Sequence, residues 1–232
     1  MTRPPLYSIA IAHHPTLVER KSKLLENLIA AHIDPNKVRW EQGFSPAEIK
    51  DAHSQLISPQ TQHHNITIKH AHGEYRNPYK RLNLGQLSLY LKHKEALRKH
   101  SLTNTPYLLI LEDDAAIPLD FNKIMPEIIS EFHNYNGDIL HLGDTAIPGH
   151  QVVRFSGKLV HYNKGLPLIT RGTHAVMFSL ECSKKILKEL DSVTVPIDFK
   201  YNELICRLSL RSLILNKGWP YRFQFPTSLG PS

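Results

Sequence analysis

The sequence predicts an α/β fold with a parallel sheet, and three observations carry that expectation. Strand-like, helix-like and strand-like segments follow one another between Leu6 and Trp40, the order that opens a parallel sheet with helical crossovers. Tyr107-Leu108-Leu109-Ile110-Leu111 is a continuous apolar run, as expected of a central strand buried on both faces. Stretches with apolar residues at helical spacing alternate with these strands through most of the chain.

Each element has its own signal. Leu6 to Ala12 reads as the first strand, with Ile9 and Ile11 inside it. Pro15 opens a helix that places Leu17, Leu24, Leu25, Leu28 and Ile29 on one side and ends near Ala31; proline suits a first helical turn. Val38-Arg39-Trp40 is a short strand. Ser45-Pro46-Ala47-Glu48 carries a capping-box pattern, which predicts a helix from there to about Ile57. Asn83-Leu84-Gly85-Gln86 looks like another, starting a helix with Leu84, Leu87, Leu91 and Leu97 inward. Phe121, Ile124, Met125, Ile128, Ile129 and Phe132 predict a helix with a kink at Pro126. Asp138 to Leu142 is a second internal strand ended by Gly143, Thr173 to Phe178 a third, and Glu181 to Leu190 a helix. Trp219, Tyr221, Phe223 and Phe225 alternate, predicting a late strand with one aromatic face.

The 232 residues hold 41% apolar and 21% charged side chains, the balance of an ordinary globular chain. No linker divides them, so one domain over residues 1–232 is expected. No apolar run approaches the roughly 18–20 residues that span a bilayer, and no segment repeats. Transmembrane, collagen, coiled-coil and solenoid architectures are excluded. Cys182 and Cys206 stand alone, without a CxxC, so neither a disulfide framework nor a zinc knuckle is written here. A cytoplasmic protein with reduced thiols is expected.

The net charge of +7 favours anionic company: nucleotide phosphates, an anionic membrane face or nucleic acid. Arg20-Lys21-Ser22-Lys23, Lys92-His93-Lys94 and Lys184-Lys185 are the local basic groups. None is a nucleic-acid arm, and each reads as a solvated helix face.

Residues 58 to 82 differ from the rest. Pro59, Gly73, Pro78 and the histidines at 63, 64, 70 and 72 fall there, with little periodicity, which predicts a long functional loop. Arg76, Lys80 and Arg81 beside it suit a diphosphate. A transition-metal site at these histidines is disfavoured, because no cysteine and few carboxylates accompany them.

The acidic triplet Glu112-Asp113-Asp114 comes directly after the buried run. Ligands of open α/β sheets bind beyond the carboxyl ends of the strands. Three carboxylates placed there repel one another unless a cation offsets them, and a hard divalent ion with oxygen ligands is the natural one. Period-two geometry would send Glu112 and Asp114 to one side and Asp113 to the other. The same cluster could instead cap the next loop and helix.

Leu109-Ile110-Leu111-Glu112-Asp113-Asp114 resembles the LEDD signature of glycosyltransferase family 25, the lipooligosaccharide and procollagen galactosyltransferases. The segment Gly85 to His93 resembles the family's GEIG…LSH helix, with Gln86 where the family has glutamate. Asp138 to Gly143, Gly172-Thr173-His174-Ala175 with Lys184 to Leu187, and Val195 to Asp198 resemble further family segments in the same order. The resemblance spans roughly residues 6 to 200. It implies a GT-A-like single domain, with a central mixed, mostly parallel sheet flanked by helices. It also implies a UDP-sugar donor, Mn²⁺ or Mg²⁺, and transfer with inversion.

On that resemblance Glu112 and Asp114 hold the metal, while Asp113, His174 and Gln86 bind the donor; Arg81 joins them from its place beside the loop, with solvated loop charge as its alternative. Asp198 is the base, placed after Pro196 at a helix start, where an N-cap is its structural alternative. His174 is open between the metal shell, the diphosphate and a structural strand histidine. Asp144 is a further sugar-binding candidate, or a turn former. The expected activity moves a hexose, galactose or glucose, to a glycan, lipooligosaccharide or protein hydroxyl. Peripheral contact with the anionic inner face of a membrane fits the basic charge. Competing readings are a non-catalytic glycan- or membrane-binding protein on the same fold, and a transferase acting on nucleic-acid bases, which the lack of a basic stripe disfavours.

Overall fold

Eight strands line up in one mixed sheet in the computed structural model, which describes residues 6–50, 82–143, 152–154, 159–162 and 172–219, with backbone alone at 152–154, 159–162 and 216–219. The strands are β1 (Tyr7–Ala12), β2 (Val38–Glu41), β3 (Tyr107–Glu112), β4 (Ile139–Gly143), β5 (Val152–Arg154), β6 (Leu159–Tyr162), β7 (Ala175–Ser179) and β8 (Ser212–Trp219). Their order across the sheet is β2-β1-β3-β7-β4-β8-β6-β5. The helices are α1 (Val18–Ala30), α2 (Pro46–Ile49), α3 (Leu84–Ser101), α4 (Phe121–Asn134), α5 (Leu180–Leu187) and α6 (Ile197–Arg207).

The α/β expectation holds. The sheet is mixed, but the parallel majority is not found. β1 pairs in parallel with β2 and β3, and β4 with β8. The other pairings, β3–β7, β4–β7, β5–β6 and β6–β8, are antiparallel. The cause is topological: β7 returns between β3 and β4, and β5 and β6 form an antiparallel pair at the edge. A strand's own residues do not announce its direction.

Alternation along the strands sorts the core onto two faces. Ile9, Ile11, Leu109, Leu111, Leu140 and Met177 pack with Leu24 and Leu28 of α1 and with Phe121, Met125 and Phe132 of α4. Ala10, Leu108, Ile110, Ile139, Val176 and Phe178 pack with α3, α5 and α6 through Leu87, Tyr90, Ile186 and Tyr201. Burying each large apolar side chain contributes about 1.5–3 kcal/mol, so both helical layers are held firmly to the sheet.

Capping chemistry sets the starts of two helices. Ser45 and Asn83 both form complete capping boxes, with Glu48 and Gln86 respectively. α2 is described only through its first turn, and residues 51–81 lie outside the described set. So do most of the expected 58–82 loop, Arg81 with it, Asp144, and the alternating aromatics after Trp219. α1 begins at Val18 and not at Pro15, and its apolar stripe is narrower than expected, with Ile29 exposed. Pro126 sits inside α4, which runs on through it. Among the described residues no helix is long and apolar enough to cross a membrane.

Candidate active site

The strand register assembles the site. Ala12, the last residue of β1, lies beside Glu112, the last of β3, and also beside Glu41 of β2. The next residues on β1 and β3, His13 and Asp113, therefore leave the sheet side by side. His13 Nδ1 donates to Oδ2 of Asp113 at 3.0 Å, and the His14 N–H donates to the same oxygen at 3.3 Å. Arg20, from the first turn of α1, donates to Oδ1 of Asp113 at 3.0 Å and lies 3.8 Å from Asp114 Oδ2.

The acidic triplet is a turn and not a continued strand. The Ala115 N–H donates to the Glu112 carbonyl at 3.1 Å, closing a tight turn over Glu112–Ala115. Period-two alternation therefore stops at Glu112. The expected placement of Asp113 opposite Asp114 is not found: both face Arg20. Glu112 reaches instead to Thr173, whose hydroxyl and N–H donate to its Oε1 at 2.7 and 3.2 Å.

The cation that offsets the crowded carboxylates is protein-borne at Asp113. Burial works to raise the Asp113 carboxyl, but the bonds from His13, Arg20 and the His14 N–H outweigh it and hold it below the usual carboxylate range. Asp113 is 6% exposed and both its oxygens are engaged. It ties the ends of β1 and β3 to α1.

A cavity of about 340 Å³ opens over these strand ends. His13, His14 and the acidic turn form its floor, Thr16, Leu17 and Arg20 one wall, and Gly85, Gln86, Ser88, Leu89 and Lys92 of α3 the other. Helices from opposite faces of the sheet thus meet above its edge. Gln86 lines the cavity, with its side-chain oxygen accepting the Asn83 N–H in the capping box. Glu112, Asp113 and Asp114 line it together.

Two expected site residues stand outside that lining. His174 is 5% exposed, and its ring covers Gly143 so closely that a Cβ there would meet Nε2 at 1.9 Å. Its carbonyl accepts the Glu112 N–H. Asp198 lies in the first turn of α6, whose N-cap is Pro196. The N-cap alternative is therefore not what its side chain does: Oδ2 accepts the Gly172 N–H at 3.3 Å. Because Gly172 and Thr173 are consecutive, one short segment ties Asp198 to Glu112.

Lys92 corrects the surface reading of its basic group. Lys92 is 3% and His93 0% exposed, and Arg20 turns inward to Asp113. Lys184-Lys185 keeps the solvated character expected of all three groups, as do Ser22 and Lys23 of the first. Burial pushes the Lys92 ammonium down to about 8, against the pull of Asp113 and Glu48. Burial likewise pushes His93 down to about 3, with its Nδ1 hydrogen-bonded to the Tyr201 hydroxyl. His13, Arg20, Lys92 and Thr173 are the site residues that sequence reasoning passed over. Part of the signal for Lys92 was present: Ser88, Lys92 and His93 stand among Leu84, Leu87, Leu89, Tyr90, Leu91 and Leu97, whereas the half-buried Lys94 and Glu95 and the exposed Arg98 form the polar side of the helix.

Among the described residues no three His, Cys, Asp or Glu side chains gather at metal-ligand geometry. Glu112 and Asp114 suit a hard ion that takes one or two carboxylates and completes its shell from substrate phosphates, as Mg²⁺ does. They do not build an all-protein cage. No protein-family model matches the chain, and no curated protein matches it.

Proposed function

We propose that the chain is a metal-dependent inverting glycosyltransferase of GT-A-like fold, moving a hexose from a UDP-sugar to a hydroxyl of a glycan, lipooligosaccharide or protein. The observation that carries the reading is the placement of the acidic turn. Glu112, Asp113 and Asp114 line a cavity at the carboxyl ends of two parallel strands, with Arg20 and Lys92 on its walls. Nucleotides bind at this edge of α/β sheets. The resemblance of Leu109–Asp114 and its flanking segments to glycosyltransferase family 25 supports the same reading.

Displacing a nucleoside diphosphate from a sugar needs charge neutralisation at the leaving phosphate and a base at the attacking hydroxyl. Glu112 and Asp114 would hold Mn²⁺ or Mg²⁺, which supplies positive charge to the leaving diphosphate when bound. Thr173 fixes the Glu112 carboxylate in one orientation. Asp113 locks His13, His14 and Arg20 together, which keeps the floor of the cavity rigid. Asp198 takes the proton of the acceptor hydroxyl, held in place by the Gly172 N–H.

Release of free UDP from UDP-galactose, UDP-glucose and related donors, with and without Mn²⁺, tests the reading. Metal-dependent release from one donor, rising with a glycan acceptor, is the expected result. Tight binding of UDP-sugars with no release under any condition would favour the non-catalytic binding protein.

A further inference from the structure

We propose that Lys92 supplies the ammonium that grips the phosphate oxygens of the ligand in the cavity, from the wall opposite Arg20. The proposal rests on the transferase reading only for the carrier of that phosphate.

Two other lysines of this chain set the contrast. Lys200, 6% exposed, donates to both carboxylate oxygens of Glu203 at 3.1 Å. Lys99 donates to the buried Glu41 at 2.6 Å. Pairing with a carboxylate is the ordinary way to keep a buried ammonium. Lys92 is more buried than either and is not treated so. Its one hydrogen bond among the described residues goes to a neutral partner, Oγ of Ser88 at 2.5 Å, one helical turn away. An ammonium has three N–H donors.

The nearby acidic side chains do not answer the need. Asp113 and Glu48 attract the Lys92 charge, but the Asp113 oxygens are bonded to His13, His14 and Arg20, and Glu48 is held in the capping box with Ser45. In a helix the side chain leans toward the N-terminus, so Lys92 is directed along α3 toward Ser88 and Gly85, which line the same cavity. A buried cation bonded to no carboxylate among the described residues, and facing a cavity, matches an anion that the ligand brings.

The surroundings select an oxyanion with several acceptor oxygens. The hydroxyl residues Thr16 and Ser88 line the cavity with Lys92. The 13-residue α1 starts on the facing wall, and its N-cap residue, Leu17, supplies no side-chain cap, so the helix's N–H groups and dipole add to the same demand. A diphosphate satisfies both walls at once. The inward ammonium would carry phosphate on the α3 side, while the acidic turn faces the metal side.

Calorimetric titration of inorganic pyrophosphate and of UDP, each with Mg²⁺, tests the proposal on the wild-type chain and on Lys92→Met and Lys92→Gln. Loss of a charge-assisted bond should weaken both ligands by about ten- to a hundredfold, with the thermal midpoint of each unliganded variant at or above that of the wild type. Either variant that keeps its fold serves. Wild-type affinity for pyrophosphate in a folded variant, or no pyrophosphate binding by the wild type, overturns the proposal. Lys92-dependent pyrophosphate binding without any preference for UDP upholds the anion site and counts against the nucleotide-sugar reading alone.

Discussion

Thr173 holds Glu112 by two donors, its hydroxyl at 2.7 Å and its own N–H at 3.2 Å, both on the single oxygen Oε1. One carboxylate oxygen is thereby fixed against the segment that enters β7. The preceding N–H, that of Gly172, holds Asp198. The acidic turn and the start of α6 share one two-residue clamp.

Thr173→Val keeps the shape and the N–H but deletes the hydroxyl donor. The loss of one hydrogen bond to a charged group should cost about 1.5–3 kcal/mol, read by urea denaturation. Metal-dependent UDP affinity should fall with it, because Glu112 is no longer oriented. A stability loss with unchanged UDP affinity would remove Glu112 from the ligand set.

Asp113→Asn removes the closer of the two carboxylates that face the largely buried Arg20. Removing one member of such a pair costs about 3 kcal/mol. The pH dependence has a definite sign. The Asp113 carboxyl is held below its usual range in the fold, so its contribution is present above the unfolded carboxyl value and is lost as pH falls through the folded one. The wild-type melting temperature should drop on acidification below about pH 4, and the variant should show a flatter acid limb. Parallel acid limbs would contradict the assignment.

Asp198→Asn should lower kcat by about 10²–10⁴-fold, the usual worth of general-base catalysis, with donor affinity little changed. Near-normal turnover would confine Asp198 to its bond with Gly172. A large loss of donor affinity with kcat retained would make it a sugar or metal ligand.

The parallel half of the sheet was legible because buried strands and capped helices leave local marks. Leu108 to Leu111 are apolar on both faces, and Asn83 with Gln86 announces the start of α3. The position of the acidic triplet at a sheet edge came from the same run. Its internal geometry did not, because the turn closed by the Ala115 N–H depends on residues beyond the strand and not on the strand's period. Contacts between His13 and Asp113 span 100 positions and exist only through the β1–β3 register. The inward turn of Lys92 is intermediate: the crowded leucines of α3 imply burial, but the cavity that it faces depends on α1 from the other side of the sheet.

Lys92 also gives a pH dependence opposite in origin to that of Asp113. Its ammonium sits at about 8 in the fold and at about 10.4 in an unfolded chain. The unfolded chain binds the extra proton between those values, so stability rises with pH across that window. Lys92→Met should abolish this rise. Pyrophosphate affinity of the wild type should fall as pH climbs through about 8, where Lys92, facing Asp113 and Glu48, loses its charge. His14, held below its ordinary value chiefly by burial and next by Lys92, is already neutral there. An affinity flat from pH 7 to 9.5 would contradict the assignment.

In the proposed reaction the acidic turn after β3 holds a metal-bridged nucleoside diphosphate, and every other role at the site depends on that one. Titration of UDP into the wild type and into Asp114→Asn, with Mn²⁺ and with the metal chelated, probes it without any acceptor. UDP should bind the wild type far more tightly with Mn²⁺ than without, and the variant should lose that difference while melting as a cooperative unit. Equal UDP affinity in the two proteins with Mn²⁺ present would take the metal-bridged diphosphate away from this turn.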